Sequence, residues 1–223
     1  MKKAFLPWLF AIPFCLFSQI EDLEFKYYQA IGTPSDICEH VPVLRELASG
    51  CSSVTEIGVR GMVSTWGILK GLSENDSNER SYLGVDLCFP PSESLNLARD
   101  LAKSQGIRFA FEQANDLEIY LDPVDLLFID SLHTYAHLTY ELETFSSSVK
   151  KYIALHDTSY PWELLDDADY SGDYSEYPAG IDREKRGLWA AVVDFLDHHP
   201  EWALHERRLN CHGFTVLKRV SEE

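Results

Sequence analysis

The chain has 223 residues, 45% of them hydrophobic and 13% aromatic, enough for one globular domain with a sizeable core. Against 19 basic residues stand 36 acidic ones, a formal charge of -17 that repels a phosphate backbone and excludes nucleic acid as a general partner. The local basic group Arg183, Lys185 and Arg186 reads as a solvated loop and helix start.

Met1, Lys2 and Lys3 precede an apolar run over 4–17 and then Ser18 and Gln19, the charged, hydrophobic and small-residue order of a signal peptide. The run is too short to span a bilayer comfortably and is broken by two prolines. Cleavage after Ser18 places the large Leu16 at the minus-three position, so an uncleaved membrane anchor stays open, as does a buried helix. Cys15 invites lipidation, but bulky Phe14 stands directly before it. The expectation is a leader over 1–18 that exports or anchors the protein, with the domain facing the cytoplasm if the anchor is uncleaved. The other cysteines, at 38, 51, 88 and 211, show no CxxC pair or metal-ligand spacing and read as single buried thiols.

Residues 19–53 form a helical extension, with a helix predicted over 35–48: Ser35 can cap it, and Ile37, Val41, Leu44 and Leu47 recur at helical spacing. From 54 to 219 short apolar strands alternate with longer amphipathic stretches, which forces parallel pairing because each crossover needs a helix. Strands are predicted at 54–59, 81–86, 107–112, 124–130 and 152–156, with helices at 64–72, 92–105 and 137–147. A helix over 187–198 then leads into strands at 202–206 and 212–217, an antiparallel hairpin at one sheet edge. The fold class is α/β, Rossmann-like, mostly parallel, with helices on both faces.

Ligands bind such sheets beyond the carboxyl ends of the strands. The first end reads Glu56-Ile-Gly58-Val-Arg60-Gly61, with Ser64 and Thr65 opening a helix. Glycines 58 and 61 permit a tight turn and close approach of a ligand, although the pattern also suits a purely structural turn. Asp86 ends the second strand, where an acid accepts ribose hydroxyls or caps the following turn. Asn115 and Asp116 follow the third, placed for an adenine edge or a helix cap. The fourth and fifth ends carry Asp130 with His133, and His156 with Asp157. Paired carboxylates in one cleft share a proton or hold a divalent cation. His133 has the ordinary pKa of a general base for a hydroxyl, and both histidines also suit a supporting hydrogen-bonded role. Asp166 to Tyr177 is acidic and tyrosine-rich; it opens like a calcium loop, but Pro178 stands where the closing Glu should be, so it reads as a lid or a plain surface loop.

Taken in order, the run from Glu56 to Gly61 with Ser64 and Thr65, then Gly84-Val-Asp86, Phe128-Ile-Asp130 with His133 and Tyr135, and His156-Asp157-Thr158 resembles the class I methyltransferases grouped with macrocin O-methyltransferase and the cephalosporin hydroxylases, the family 24 type. Gly187-Leu-Trp189, Phe195-Leu196 and Gly213 to Leu217 resemble the group's closing helix and hairpin, so the likeness covers residues 36–219. The resemblance implies a seven-stranded sheet and S-adenosyl-L-methionine as cofactor. It places Glu56 and Gly58 along the methionine and ribose, Asp86 on the ribose hydroxyls, and Asn115 or Asp116 at the adenine, with Arg60, Gly61 and Ser64 as further cofactor-binding residues. It further implies magnesium or another divalent cation at Asp130 and Asp157, with His156 standing where relatives often carry an acid. The implied reaction is methylation of a small-molecule hydroxyl, on a sugar, polyketide or phenol, with His133 and Asp130 as catalytic groups. The leader favours a different account, an exported or anchored non-catalytic binding protein on the same fold, because the cofactor is made in the cytoplasm.

Overall fold

Residues Val124–Ile129, Val-Asp-Leu-Leu-Phe-Ile, are buried at every position and form β4, the central strand of the computed structural model. Six successive hidden side chains require cover on both faces of a sheet. Leu126 and Phe128 enter one core, Leu127 and Ile129 the other, as a pleated strand demands. The structure describes residues 22–167, 177, 180–182 and 184–220.

Around β4 lie β1 (Ser53–Ile57), β2 (Arg80–Asp86), β3 (Ile107–Gln113), β5 (Val149–His156), β6 (Trp202–Arg208) and β7 (Phe214–Arg219). The order across the sheet is β3-β2-β1-β4-β5-β7-β6. The first five strands run parallel, while β7 enters antiparallel between β5 and β6. This is the expected Rossmann-like class, with its closing antiparallel hairpin. From β1 the chain winds outward to β2 and β3; from β4 it winds the other way. A crevice therefore opens where the direction of winding switches, at the carboxyl ends of β1 and β4.

The helices α1 (Leu23–Gly32), α2 (Val41–Ser49), α3 (Val63–Glu74) and α4 (Ser92–Ser104) share one core, and α5 (Tyr135–Phe145) and α6 (Leu188–His198) share the other. α2 lies on α3 almost backbone to backbone. A Cβ on Gly71 would stand 2.2 Å from the Arg45 carbonyl oxygen, so only glycine admits this contact. The Arg45 guanidinium grips Glu74 on the same interface, Nη2 to Oε1 at 2.8 Å.

The helix expected over 35–48 begins only at Val41. Pro42 sits in its first turn, where a missing N–H costs nothing; a helix running from Ser35 would have needed that N–H. Ser35 caps nothing, and its buried hydroxyl has no hydrogen-bond partner among the described residues. The segment 33–40 instead crosses above the strand ends. α1 is not predicted separately; Asp22 caps it by accepting from the Phe25 amide at 2.7 Å. At the other end, Cys211 and His212 adopt φ of 43° and 63°, which delays β7 from the expected 212 to Phe214. The leader, Arg183 and most of the expected lid lie outside the described residues. Among the described residues no helix is long and apolar enough to cross a membrane.

Candidate functional site

A cavity of about 560 Å³ occupies the crevice, within the range of small-molecule and cofactor sites. Gly58, Arg60, Asp86, Asn115, Asp116 and Asp130 line it, as do the apolar Ile57, Leu87, Leu117 and Leu132, with His137 and Tyr177 closing one side. Six of the expected site residues are thus brought to one space.

Gly58 is the steric condition for that space. Its φ is +85°, and a Cβ would stand 2.0 Å from the Asp130 carbonyl oxygen, so the end of β1 passes directly against the end of β4. Gly61 carries no such demand, with nothing within 4 Å of a Cβ. The left-handed positions of the turn are Arg60 and Met62, at φ 41° and 66°. Strain of this kind in non-glycine residues concentrates at functional sites. The Arg60 side chain is exposed and pairs with Asp36 at 3.0 Å.

Asp86 holds this turn in place. Its Oδ2 accepts from the Val59 and Arg60 amides, both at 2.8 Å, and its Oδ1 accepts from the Cys88 amide at 2.9 Å. A carboxylate has about four acceptor positions, so one stays open toward the cavity for a hydroxyl donor. Asn115 caps the short turn that follows β3, its Oδ1 accepting from the Leu117 amide at 3.2 Å.

Glu56 and Ser64 stand apart from these six residues. Neither lines the cavity; they bond to each other beneath it. Ile57 faces the cavity, so its neighbour Glu56 must point to the opposite face of β1, toward α3. There the buried Glu56 carboxyl also accepts from Thr65 Oγ1 at 2.8 Å and Tyr82 Oη at 2.5 Å. Burial pushes its pKa up to about 7, against the pull of the Ser64, Tyr82 and Thr65 hydroxyls.

The fourth and fifth strand ends deliver Asp130, His133, His156 and Asp157 together. His133 Nε2 is 2.8 Å from Asp157 Oδ2 and 3.9 Å from Asp130 Oδ1. His156 Nδ1 is 3.3 Å from Asp130 Oδ1 and 3.2 Å from Asp157 Oδ2. The Asp157 backbone is left-handed at φ 57°, which turns its carboxylate back toward the histidines. Trp162 lies against the His133 ring, centroids 5.0 Å apart.

The far nitrogen of His156 fixes what this centre wants. Nε2 lies 3.2 Å from the Asp36 carbonyl and 3.1 Å from the Cys211 carbonyl. Both are pure acceptors, so Nε2 carries a proton. Nδ1, facing two carboxylates, therefore needs a second proton or a metal ion between it and them. Burial would lower the pKa of both histidines, but the hydrogen bonds they donate to Asp130 and Asp157 outweigh it and raise His133 to about 9 and His156 to about 10. Burial would raise Asp130 and Asp157, and the two histidines hold both below the usual carboxylate range. Asp130, His156 and Asp157 also offer one ligand atom each within 4.8 Å of one another. The residues fit a divalent ion, and the outward N–H to carbonyl bonds of His156 are those a metal-bound imidazole makes. The nitrogen donor suits a transition metal better than magnesium, which prefers oxygen alone.

Sequence reasoning overlooks His137 and Glu141. The available signal is the spacing of His137 and Glu141, four apart in a predicted helix and so on one face.

No family model matches the sequence, and no curated protein does. The fold does match solved structures. An O-methyltransferase from Bacillus cereus in complex with SAH superposes with a TM-score of 0.53 at 14% identity, covering 91% of this chain and 94% of that one. The SAH-bound methyltransferase PaMTH1 from Podospora anserina gives 0.53 at 14% identity, covering 91% and 89%. The O-methyltransferase TomG from Streptomyces achromogenes, involved in tomaymycin synthesis and solved with SAM, gives 0.50 at 14%, covering 92% and 93%. At such identity the likeness establishes a shared fold.

Proposed function

We propose that the chain is an S-adenosylmethionine-dependent methyltransferase that acts on a hydroxyl group of a small molecule. The carrying observation is the union of one cavity at the switch of the sheet with a carboxylate–imidazole centre at its rim. When bound, the cofactor supplies an electrophilic methyl group on a sulfonium. Gly58 lets it approach the backbone, the open acceptor position of Asp86 takes a ribose hydroxyl, and Leu87, Leu117 and Leu132 supply an apolar wall for the base beside Asn115. That three methyltransferases of the same fold were solved with SAM or SAH supports this reading.

The protein's own chemistry is alignment and proton removal. Asp130 opens on the cavity, and His133 stands behind it with Nε2 on Asp157. An acceptor hydroxyl presented to the Asp130 carboxylate gives it the proton as the methyl passes from sulfur to oxygen, while His133, bonded through Nε2–H to Asp157, stands 3.9 Å from Asp130 Oδ1 and steadies its charge. His156 stays protonated on Nε2 and keeps Asp130 and Asp157 in place. Asp130, His156 and Asp157 would hold a divalent ion, which would supply a Lewis acid to lower the pKa of a bound hydroxyl.

The reading requires a supply of cofactor, which places the domain on the cytoplasmic side of any membrane that residues 4–17 engage. It leans toward the macrocin O-methyltransferase group on the order of the strand-end residues.

The test is calorimetric titration of S-adenosylmethionine into the full chain, with Asp86→Ala as control. Binding that weakens on the order of a hundredfold in the variant is expected, since one lost ribose contact and a loosened turn each cost a charged hydrogen bond. A wild-type chain that binds no cofactor would leave a non-catalytic binding protein on this fold.

A further inference from the structure

A second set of ligand-type side chains is buried beside the cavity, apart from the Asp130 centre. Asp116, in the 3-10 turn Asp116–Glu118, meets His137 and Glu141 of α5, and each offers one ligating atom within 4.8 Å of the others. His137 Nε2 is 2.7 Å from Asp116 Oδ2 and 3.8 Å from Glu141 Oε1. Asp116 and Glu141 also contact each other carboxyl to carboxyl.

Glu141 is fully buried. Its Oε1 accepts from the Ser131 hydroxyl at 2.8 Å, while its Oε2 has no hydrogen-bond partner among the described residues. A buried carboxyl pair with an orphaned oxygen is costly unless something positive joins it. Burial and then the Asp116 charge drive the Glu141 carboxyl well above its ordinary range, so a proton or a metal ion must sit there.

We propose that Asp116, His137 and Glu141 form a second metal site, for a divalent transition ion of the zinc type, opening on the cavity. The donor set of one imidazole and two carboxylates is of the kind zinc takes when it keeps a fourth position open. Asp116 and His137 line the cavity while Glu141 lies behind them, so that fourth position faces the cavity and a water or ligand there. His137 Nδ1 lies 2.8 Å from Tyr177 Oη. With Nε2 on the ion, Nδ1–H donates to that oxygen, the outer bond that orients a metal-bound imidazole. Two carboxylates, a neutral imidazole and a doubly charged ion form a neutral group, which removes the cost of the orphaned oxygen. The Asp116 and His137 atoms would open from 2.7 Å to roughly 3.3 Å about the ion, a small side-chain adjustment for bonds near 2.0 Å. Once bound, the ion joins the turn after β3 to α5 and to Tyr177, and so braces one wall of the cavity.

Two measurements test the site. Chelator-stripped full-length His156→Gln, in which the Asp130 centre lacks its nitrogen, is titrated with Zn2+ against a chromophoric chelator and with Co2+ as an optical probe. One equivalent per chain, with the strong visible bands of four-coordinate cobalt, is expected, and its loss on adding Glu141→Gln. No uptake, or uptake that survives Glu141→Gln, would overturn the proposal. Zinc-edge anomalous diffraction from wild-type crystals soaked in Zn2+ needs no variant to fold. A peak between Asp116, His137 and Glu141 is expected, and no anomalous signal there would overturn the proposal and leave a proton in that role.

Discussion

At the β1–β2 end of the cavity Asp86 is held by three backbone amides, and Glu56 beneath it by three hydroxyls. At the β4–β5 end Asp130 and Asp157 are held by two imidazoles. Amides do not titrate, so the grip on Asp86 holds at any working pH. Imidazoles do, so the second end exchanges protons while keeping its geometry. One end is built to hold a molecule and the other to move a proton, from carboxylates of the same kind.

The largest test of this contrast removes the imidazole beside the proton acceptor. His133→Ala should cut turnover on an identified acceptor on the order of a thousandfold while leaving cofactor affinity within a fewfold, read by steady-state kinetics beside calorimetry. Equal losses in both would mean that the two ends are one functional unit.

Next comes the steric condition that joins the ends. Gly58→Ala should destabilise the fold by about 3 kcal/mol in urea denaturation, because a Cβ at positive φ would meet the Asp130 carbonyl at 2.0 Å. A loss below about 1 kcal/mol would show that the two strand ends can part.

A similar but smaller loss, about 2 kcal/mol, is expected for Glu56→Ala, which strands the Ser64, Thr65 and Tyr82 hydroxyls in the core. Its effect on turnover should follow stability alone, since the carboxyl lies below the cavity floor.

The finest distinction is the pH dependence. Asp130 acts beside a charged His133, so the rate should hold through neutral pH and fall as pH passes about 9, the pKa of His133. Stability should run the same way. The folded pKa of His156, about 10, is raised above the ordinary 6.5, so its contribution is complete below about 6.5 and is lost as pH rises toward 10. Melting temperatures from pH 6 to 10 should fall for the wild type and fall less for His156→Gln.

The sheet is legible in the sequence because five short apolar runs each end in polar residues, and only parallel strands with helical crossovers accommodate them. The same strand ends locate Asp86, Asp130 and Asp157. What escapes is whatever depends on which way a side chain turns after its strand is placed. Glu56 belongs to the motif but faces α3, and that follows from pleat parity relative to Ile57. The left-handed positions fall on Arg60 and Met62, although Gly61 stands between them, because tertiary packing overrides residue preference there. The Asp36 and Cys211 carbonyls that fix the tautomer of His156 come from segments 120 and 55 residues away, and no local pattern carries that information.

The contact at Gly71 has a kinetic consequence. With α2 seated against the backbone of α3, the helix that receives the turn through Gly58 has no room to retreat, so the wall bearing that turn is a fixed jamb. Passage into the cavity then belongs to the facing wall, where Tyr177 rests on His137 and Tyr140 through side chains. Residence time is accordingly set at that facing wall, and Tyr177→Ala should hasten ligand departure more than it alters the place the ligand occupies.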